Sequence, residues 1–174
     1  MNLVIANRQR TKKINARLLR QIVSTLFAEL EISEAELGIN LVGAKEMARV
    51  NWQFLQHEGS TDVITFDYSD SVGDDVRSLK NNKLEPPHVG SYNFIRGELF
   101  ICVDDAVAQA KEFGSSWQAE VVRYAVHGVL HLLGHDDLRP DLRRKMKREE
   151  NRLVRRLENR FKLAQLSQTA KISA

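Results

Sequence analysis

Short apolar runs alternate with amphipathic segments along the chain, and this alternation predicts both strands and helices. Four runs rich in apolar and β-branched residues have the length and composition of strands, at residues 3–6, 38–42, 61–66 and 98–103. Apolar positions that recur every three or four residues predict helices at residues 16–31, 44–56 and 105–113. Asn15 and Asp104 are suitable N-caps for the first and third of these helices. The pattern predicts an α+β fold in which one mixed four-stranded sheet packs against helices.

A buried helix is predicted after Gly114, Ser115 and Ser116, which break the preceding helix. The segment from Trp117 to Val126 is apolar nearly all round, which is typical of a helix enclosed in a core. Gly134 suits the left-handed conformation that ends many helices, because glycine has no Cβ.

The rest of the chain is predicted to hold a long loop, a basic helix and a short tail. Residues 68–95 lack periodicity and contain several Pro and Gly residues, so we expect a long mobile loop there. Residues 138–164 are expected to form a basic C-terminal helix along one flank of the core. Its apolar stripe consists of Leu142, Met146, Leu153, Leu157 and Phe161. We expect residues 1–166 to form a single domain and residues 167–174 to be a frayed tail.

His127 and His131 are the strongest chemical signal in the sequence, because residues four apart on a helix lie on one face, about one turn apart. Two imidazoles at this spacing, with a glycine stop and further donors beyond it, predict a three-ligand metal site. From the residues alone, His135 and Asp137 are both candidates for the third ligand. A hydrogen-bonded pair of structural histidines is the alternative interpretation.

The residue after His127 and the ligand set of the predicted metal site also indicate which kind of reaction is favoured. Gly128 stands where the His-Glu-x-x-His metalloprotease motif has the glutamate that acts as general base, so that chemistry is disfavoured. A metal site can still polarise a phosphate oxygen or generate hydroxide for phosphodiester cleavage. A carboxylate ligand would cancel more of the metal charge than a third imidazole, and such a site also suits a harder metal such as manganese.

Charge is distributed unevenly along the 174 residues. From Leu138 onward there are 12 basic and 4 acidic residues, a net charge of +8, whereas the whole chain carries +3. This asymmetry indicates either a surface that binds polyanions or a solvated amphipathic helix. If the helix contacts phosphates, the candidates are Arg143, Arg144, Lys147, Arg148, Arg155 and Arg156.

The composition and the first residues of the sequence indicate the compartment in which the protein is expected. Cys102 is the single cysteine, so an internal disulfide is excluded and a reducing compartment is expected. The first residues lack the pattern of a signal peptide, and no apolar run has the roughly 18 residues of a membrane span. We therefore expect a cytoplasmic protein that does not enter the membrane.

Three segments resemble a known family, the YbeY-type endoribonucleases that mature bacterial rRNA. The first is His127-Gly128-x-Leu130-His131-Leu132-Leu133-Gly134-x-Asp136, followed by Asp137. The second comprises Asn51-x-x-Phe54 and Thr61-Asp62-Val63-Ile64-Thr65-Phe66, and the third is Gly97-Glu98-Leu99-x-Ile101-Cys102. They occur in the family's order between about residue 41 and residue 137, whereas residues 138–174 match no motif of the family.

The resemblance implies a zinc-dependent, single-strand-specific endoribonuclease that acts on small-subunit rRNA and in ribosome quality control, in the cytoplasm. It implies a zincin-like helix holding one Zn²⁺ through His127, His131 and Asp137, the last standing where the family usually has a third histidine. It also implies catalytic roles for His127, His131 and Asp136. Single-stranded RNA, the small ribosomal subunit and ribosome-associated proteins are the implied partners.

Leu55 departs from the family pattern, because it stands where the family usually has an arginine that holds RNA phosphate. His57, Arg96 or the basic C-terminal helix are the expected substitutes. Two other functions stay open at this point. One is a ribosome-associated module with a structural metal and no catalysis, which Leu55 and the basic helix favour, and the other is a metalloprotease.

Overall fold

The computed structural model describes residues 1–69 and 94–168, and within these residues one four-stranded sheet packs against helices in an α+β fold. The strands are β1 (Asn2–Asn7), β2 (Glu34–Val42), β3 (Val63–Asp67) and β4 (Phe94–Cys102). The helices are α1 (Ala16–Glu29), α2 (Ala44–Leu55), α3 (Val103–Phe113), α4 (Trp117–Leu132) and α5 (Pro140–Arg160), and a short 3-10 helix, Leu163–Leu166, follows. None of these helices combines the length and the apolar character needed to cross a bilayer.

The sheet is mixed, as the sequence pattern predicts. Its strands lie in the order β1-β2-β4-β3, with β1, β2 and β4 parallel and β3 antiparallel to β4. The β2–β4 ladder runs from Glu34 opposite Phe94 to Val42 opposite Cys102, so both strands begin four residues earlier than the apolar runs suggest. Phe94 and Ile95 are therefore strand residues, which corrects the predicted end of the mobile loop. Residues 70–93 of that loop lie outside the described residues.

The two faces of the sheet are covered unequally. One face, with Leu99 and Ile101 of β4, belongs to the main core that α1, α4 and α5 share. The other face carries a smaller cluster in which Val42 and Cys102 pack with Met47 of α2. Helix α4 is thus enclosed on the larger side of the sheet, as the apolar character of its sequence predicts.

Two glycines allow α4 to approach the sheet closely. A Cβ on Gly128 would lie 2.6 Å from a methyl carbon of Leu99 in β4. A Cβ on Gly97 would lie 2.6 Å from a methyl carbon of Leu132 and 2.5 Å from the backbone oxygen of Phe66. These distances are far below a normal van der Waals contact, so a side chain at either position would push α4 and the sheet apart.

Two details at element ends differ from the sequence-based expectation. Asp104 does not cap its own helix, which begins at Val103, because its Oδ2 instead accepts a 2.6 Å hydrogen bond from the backbone N–H of Ala44. The chain after α5 is not frayed up to residue 168. Leu166 is fully buried, and Ser167 forms a β-bridge with Ile14. Residues 169–174 of the predicted tail lie outside the described residues.

Candidate metal centre

Helix α4 and the loop after it bring three potential metal ligands together. The Nε2 atoms of His127 and His131 are 3.0 Å apart. Asp137 places its two carboxylate oxygens 3.8 Å from Nε2 of His127 and 4.0 Å from Nε2 of His131. These three side chains can each offer one ligand atom to a common point. The geometry agrees with the set His127, His131 and Asp137 that the sequence resemblance implies.

The loop that carries Asp137 is fixed by the way α4 ends. Gly134 has a φ of 81°, the left-handed conformation expected from the sequence. The N–H of Gly134 donates to the carbonyl of His131, and the N–H of His135 donates to the carbonyl of Leu130. These two bonds form a Schellman motif, which reverses the chain sharply at the helix end. The reversal returns the chain toward His127 and His131 within a few residues.

Each imidazole is oriented by a hydrogen bond at its outer nitrogen. Nδ1 of His127 lies 2.9 Å from Oε2 of Glu150, and Nδ1 of His131 lies 3.0 Å from the carbonyl oxygen of His135. Both partners are acceptors, so both Nδ1 atoms carry the proton and both Nε2 atoms present a lone pair to the centre. This pairing of imidazole with an outer acceptor is the usual support of metal-bound histidine.

A divalent metal fits this arrangement of donors. Ligand atoms bound tetrahedrally to zinc at about 2.0–2.1 Å are roughly 3.3 Å from one another, close to the separations seen here. Without a cation, the two Nε2 lone pairs would face each other at 3.0 Å, which is electrostatically unfavourable. Burial and the neighbouring His127 lower the pKa of His131. Protonation of the His131 ring is therefore an unfavourable way to relieve the repulsion between the two lone pairs.

Glu150 of α5 is the main support of the centre, and it is not among the site residues predicted from the sequence. Its side chain is 4% exposed and accepts hydrogen bonds from Arg123, Lys147 and His127. Burial alone would raise the pKa of this carboxyl group, but the hydrogen bonds from these three groups lower it to about 2. Glu150 is therefore an anion held against the outer face of the His127 ring.

A sequence signal for Glu150 does exist. Counted along α5, it falls four residues after Met146 and three before Leu153, inside the apolar stripe rather than on the solvated face. A charged residue at a buried stripe position needs partners from other elements. In this protein those partners are Arg123 and His127, both on α4.

The other predicted site residues lie around the centre or away from it. The side chain of His135 does not join the three ligand atoms, so the structure gives no support to His135 as the third ligand. Asp136 accepts a 2.9 Å hydrogen bond from the backbone N–H of Leu138 and is likewise outside the ligand set. Arg143 donates from Nε to the backbone oxygen of Asp137 at 2.9 Å, which holds this candidate ligand in place.

Of the expected substitutes for the family arginine, Arg143 of the basic C-terminal helix contacts Asp137, whereas Arg96 and His57 lie elsewhere. Arg96 alternates with Ile95 and Gly97 along β4, so it faces the side of the sheet opposite α4, where it pairs with Glu36 at 3.0 Å. His57 is exposed beyond the end of α2, and Leu55 at that end is 47% exposed.

A cavity of about 140 Å³ adjoins the ligands on the side of α5. His127, Asp137 and Arg143 line it, together with Asp62 from the segment before β3 and Tyr124 from α4. The hydroxyl of Tyr124 is buried without a hydrogen-bond partner among the described residues, and burial raises its pKa. The ligand side chains themselves are 23% exposed for His127, 29% for His131 and 39% for Asp137, so solvent and a substrate can reach the centre.

Comparison with known proteins agrees with this geometry. The sequence model of the family described as Endoribonuclease YbeY matches residues 4–158. A protein named Endoribonuclease YbeY from Chlorobium luteolum is 30% identical over 157 residues, which cover 90% of this chain and 98% of the relative. A protein of the same name from Elusimicrobium minutum is 32% identical over 132 residues, which cover 76% of this chain and 81% of the relative.

A solved structure supports the fold. The solution structure of TM1509 from Thermotoga maritima has a TM-score of 0.60 and 21% sequence identity, and the match covers 99% of both chains. At that identity the likeness concerns the fold alone. The family match across residues 4–158 and the relatives that match over most of their length lead to one conclusion: the chain belongs to the Endoribonuclease YbeY family.

Proposed function

We propose that this protein is a zinc-dependent endoribonuclease that cleaves single-stranded RNA, acts in the maturation and quality control of small-subunit rRNA, and works in the cytoplasm. The observation that carries the proposal is the pair of imidazoles on α4 whose Nε2 atoms face one point together with the carboxylate of Asp137. Its relatives carry the name Endoribonuclease YbeY, which supports RNA as the substrate.

His127, His131 and Asp137 would hold the metal, and their partial exposure leaves room for a further ligand. A divalent ion bound there supplies Lewis acidity toward a phosphate oxygen and lowers the pKa of a bound water. Side chains around the ligands contribute their orientation and basicity. Glu150 fixes the His127 ring and raises its basicity as a ligand, and Arg143 holds the backbone of Asp137. Asp136, adjacent to the third ligand, keeps the catalytic role implied by the sequence resemblance as part of this proposal.

The structure also argues against the protease alternative. A His-Glu-x-x-His protease needs a glutamate directly after the first histidine. Here that position is Gly128, where even a Cβ would lie 2.6 Å from Leu99. A longer side chain cannot be accommodated between α4 and β4, so the position is built for close packing rather than for a general base.

RNA contacts are part of the same proposal. His57, Arg96, Arg143, Arg144, Lys147 and Arg148 are the candidates. Of these, Arg143 and Lys147 line the cavity beside the ligands, so they are the ones positioned to meet a phosphate near the metal. The small ribosomal subunit and its associated proteins are the proposed partners.

Leu55 favours a second candidate function, a ribosome-associated module whose metal is structural. The side chain is 47% exposed at the end of α2 and cannot hold a phosphate. Under this alternative, metal binding would stabilise the fold and RNA would be bound without being cleaved.

Cleavage of defined RNA by two aspartate variants separates these functions. Asp137→Asn removes one ligand with little change in shape, and Asp141→Asn is a matched control because Asp141 is exposed and pairs only with Arg139 among the described residues. We expect zinc-loaded wild-type protein and the control to cleave single-stranded RNA and to leave duplex RNA intact, with Asp137→Asn inactive. Equal cleavage by Asp137→Asn would overturn the assignment of the metal centre, and RNA binding without cleavage by the wild type would favour the structural-metal alternative.

A further inference from the structure

A wide groove of about 970 Å³ runs beside the outer surface of α5. Four exposed cations line it, Lys145, Arg148, Arg152 and Arg155, and we call these residues the basic stripe. His135, in the loop after α4, lines the same groove. The groove is separate from the smaller cavity beside His127 and Asp137.

The spacing of the basic stripe matches one helix face. Its members follow one another at intervals of three, four and three residues, so their side chains project in nearly the same direction. From Lys145 to Arg155 the helix rises by about 15 Å. The apolar residues Met146, Leu153 and Leu157 lie on the buried side of the same helix. The stripe is therefore a row of positive charge along one helix face, interrupted at Arg152 by its ion pair with Glu149, which also lines the groove.

Most of this charge is free to bind a ligand. Within the part of the chain that the structure describes, the side chains of Lys145, Arg148 and Arg155 have no hydrogen-bonded or ion-paired partner. Arg152 differs, since Glu149 holds it through two hydrogen bonds. A phosphate can thus approach three of the four cations without breaking an existing ion pair.

Other basic residues of α5 are already engaged. Lys147 donates to the buried carboxylate of Glu150, and Arg156 pairs with Glu29 of α1. These contacts tie α5 to its neighbours. Within α5 the exposed cations without a hydrogen-bonded or ion-paired partner among the described residues are Arg144 and three members of the basic stripe, so most of the outward-facing free charge belongs to the stripe.

The loop after α4 lies between the groove and the candidate metal centre and contacts both. The backbone oxygen of His135 accepts the hydrogen bond from Nδ1 of His131, while the side chain of the same residue lines the groove. A strand with one phosphate at the metal would therefore reach the groove by crossing the loop after α4.

We propose that the basic stripe binds the backbone of single-stranded RNA next to the phosphate that lies at the metal centre. This inference rests on the proposed function, because it assumes that the scissile phosphate binds at His127, His131 and Asp137. Contacts with phosphates position an RNA strand without reading its sequence, so the stripe sets how long a flanking strand is held. Arginine is well suited to this role because its planar guanidinium binds phosphate in a bidentate manner.

The test is the salt dependence of RNA binding. The stripe variant carries Lys145→Gln, Arg148→Gln and Arg155→Gln, and a matched control carries Lys45→Gln, Arg49→Gln and Lys111→Gln. The control removes the same charge from exposed positions on α2 and α3. Binding of a short fluorescent 2′-O-methyl oligonucleotide to zinc-loaded protein would be followed by anisotropy, with circular dichroism to verify folding and a gel to verify that the probe is intact.

Each phosphate contact on a single strand contributes about 0.7 to the slope of log affinity against log salt. We expect the stripe variant to lose about 2 from this slope, so over an approximately fourfold rise in salt the wild-type affinity falls about 20-fold more than that of the variant. The control should keep the wild-type slope. An unchanged slope in the stripe variant, or an equal loss in the control, would overturn the proposal.

Two further outcomes separate this inference from the proposed function. If the wild type neither binds nor cleaves RNA, the function itself fails. If the wild type does both and the stripe variant keeps the wild-type salt slope, only the role of the stripe fails. Polyglutamate that competes with the RNA probe at equal charge concentration would point to an acidic protein partner instead, and would also overturn the proposal.

Discussion

Glu150→Gln tests whether a buried carboxylate on α5 supports the metal centre. The substitution keeps the size of the side chain but removes the charge that faces Nδ1 of His127. Loss of such an outer partner typically weakens metal affinity by about 10- to 100-fold. We therefore expect zinc to bind Glu150→Gln more weakly by this factor, although His127, His131 and Asp137 are unchanged.

The effect on stability follows from linkage between binding and folding. At a zinc concentration of about 100 times the wild-type dissociation constant, binding stabilises the wild-type fold by about 2.7 kcal/mol. A dissociation constant raised 10- to 100-fold reduces this to about 1.4 to 0.4 kcal/mol at the same zinc concentration. For a domain of this size, the zinc-dependent rise in melting temperature should fall from roughly 5–11 °C to roughly 1–6 °C.

The metal-free protein should lose some stability as well. Arg123 and Lys147 both donate to Glu150, but their side chains are 27% and 58% exposed, so water can solvate much of their charge. We expect a loss near the lower end of the approximately 1–3 kcal/mol typical when a buried partner of a hydrogen bond is removed. With chelator in the buffer this loss stands alone, whereas with zinc the weaker metal binding adds to it.

Thermal unfolding with zinc and with chelator, together with zinc titration against a chromophoric chelator, measures both effects. Glu149→Gln is the matched control, because it is the neighbouring glutamate and pairs with Arg152 on the exposed side of α5. The control should keep the wild-type zinc affinity. A folded Glu150→Gln protein with wild-type zinc affinity would refute the argument that this carboxylate supports His127.

Three other substitutions or treatments have expected outcomes. Gly128→Ala should destabilise the protein by about 1–3 kcal/mol in chemical unfolding, because its methyl group meets Leu99. A free energy of unfolding within about 0.5 kcal/mol of the wild-type value would show that β4 shifts at little cost to make room for the methyl group. Asp137→His should shift competitive metal binding from manganese toward zinc, because imidazole is a softer ligand than carboxylate, and unchanged selectivity would exclude Asp137 as a ligand. Cys102 should resist thiol reagents until the protein unfolds, since it is fully buried and burial raises its pKa to about 12, and rapid labelling of native protein would contradict this burial.

Local patterns were sufficient to predict most of the fold. The apolar stripe of α1 and its N-cap are confirmed, since Asn15 accepts a hydrogen bond from the N–H of Leu18. The apolar runs predict starts for β2 and β4 that are four residues too late. Polar and apolar residues alternate in these first residues, as at Glu36, which lies opposite Arg96 on the outer face of the sheet. Their length is set by pairing between strands about 60 residues apart, which no local window contains.

The candidate metal centre likewise depends partly on local sequence patterns and partly on contacts between residues that are distant in sequence. The spacing of His127 and His131 predicts their common face, and Gly134 predicts the end of the helix. Which of His135 and Asp137 lies beside the two imidazoles depends on how the chain turns after Gly134. The Schellman hydrogen bonds set this turn, and the carboxylate of Asp137 is the group near the two rings. Glu150 comes from a separate helix, 23 residues after His127 in sequence, so only the packing of α5 on α4 reveals it.

The charge count points to α5 but does not identify which of its basic residues are available to a ligand. The net charge of +8 from Leu138 onward is only a sum, whereas the structure sorts the basic residues by their partners. Arg143 holds Asp137, Lys147 holds Glu150, and Arg156 holds α1, so these cations stabilise the fold of the protein. Because an ion pair must be broken before Lys147 or Arg156 can bind phosphate, removal of the unpaired cations of the basic stripe should change the salt dependence of RNA binding more than removal of either.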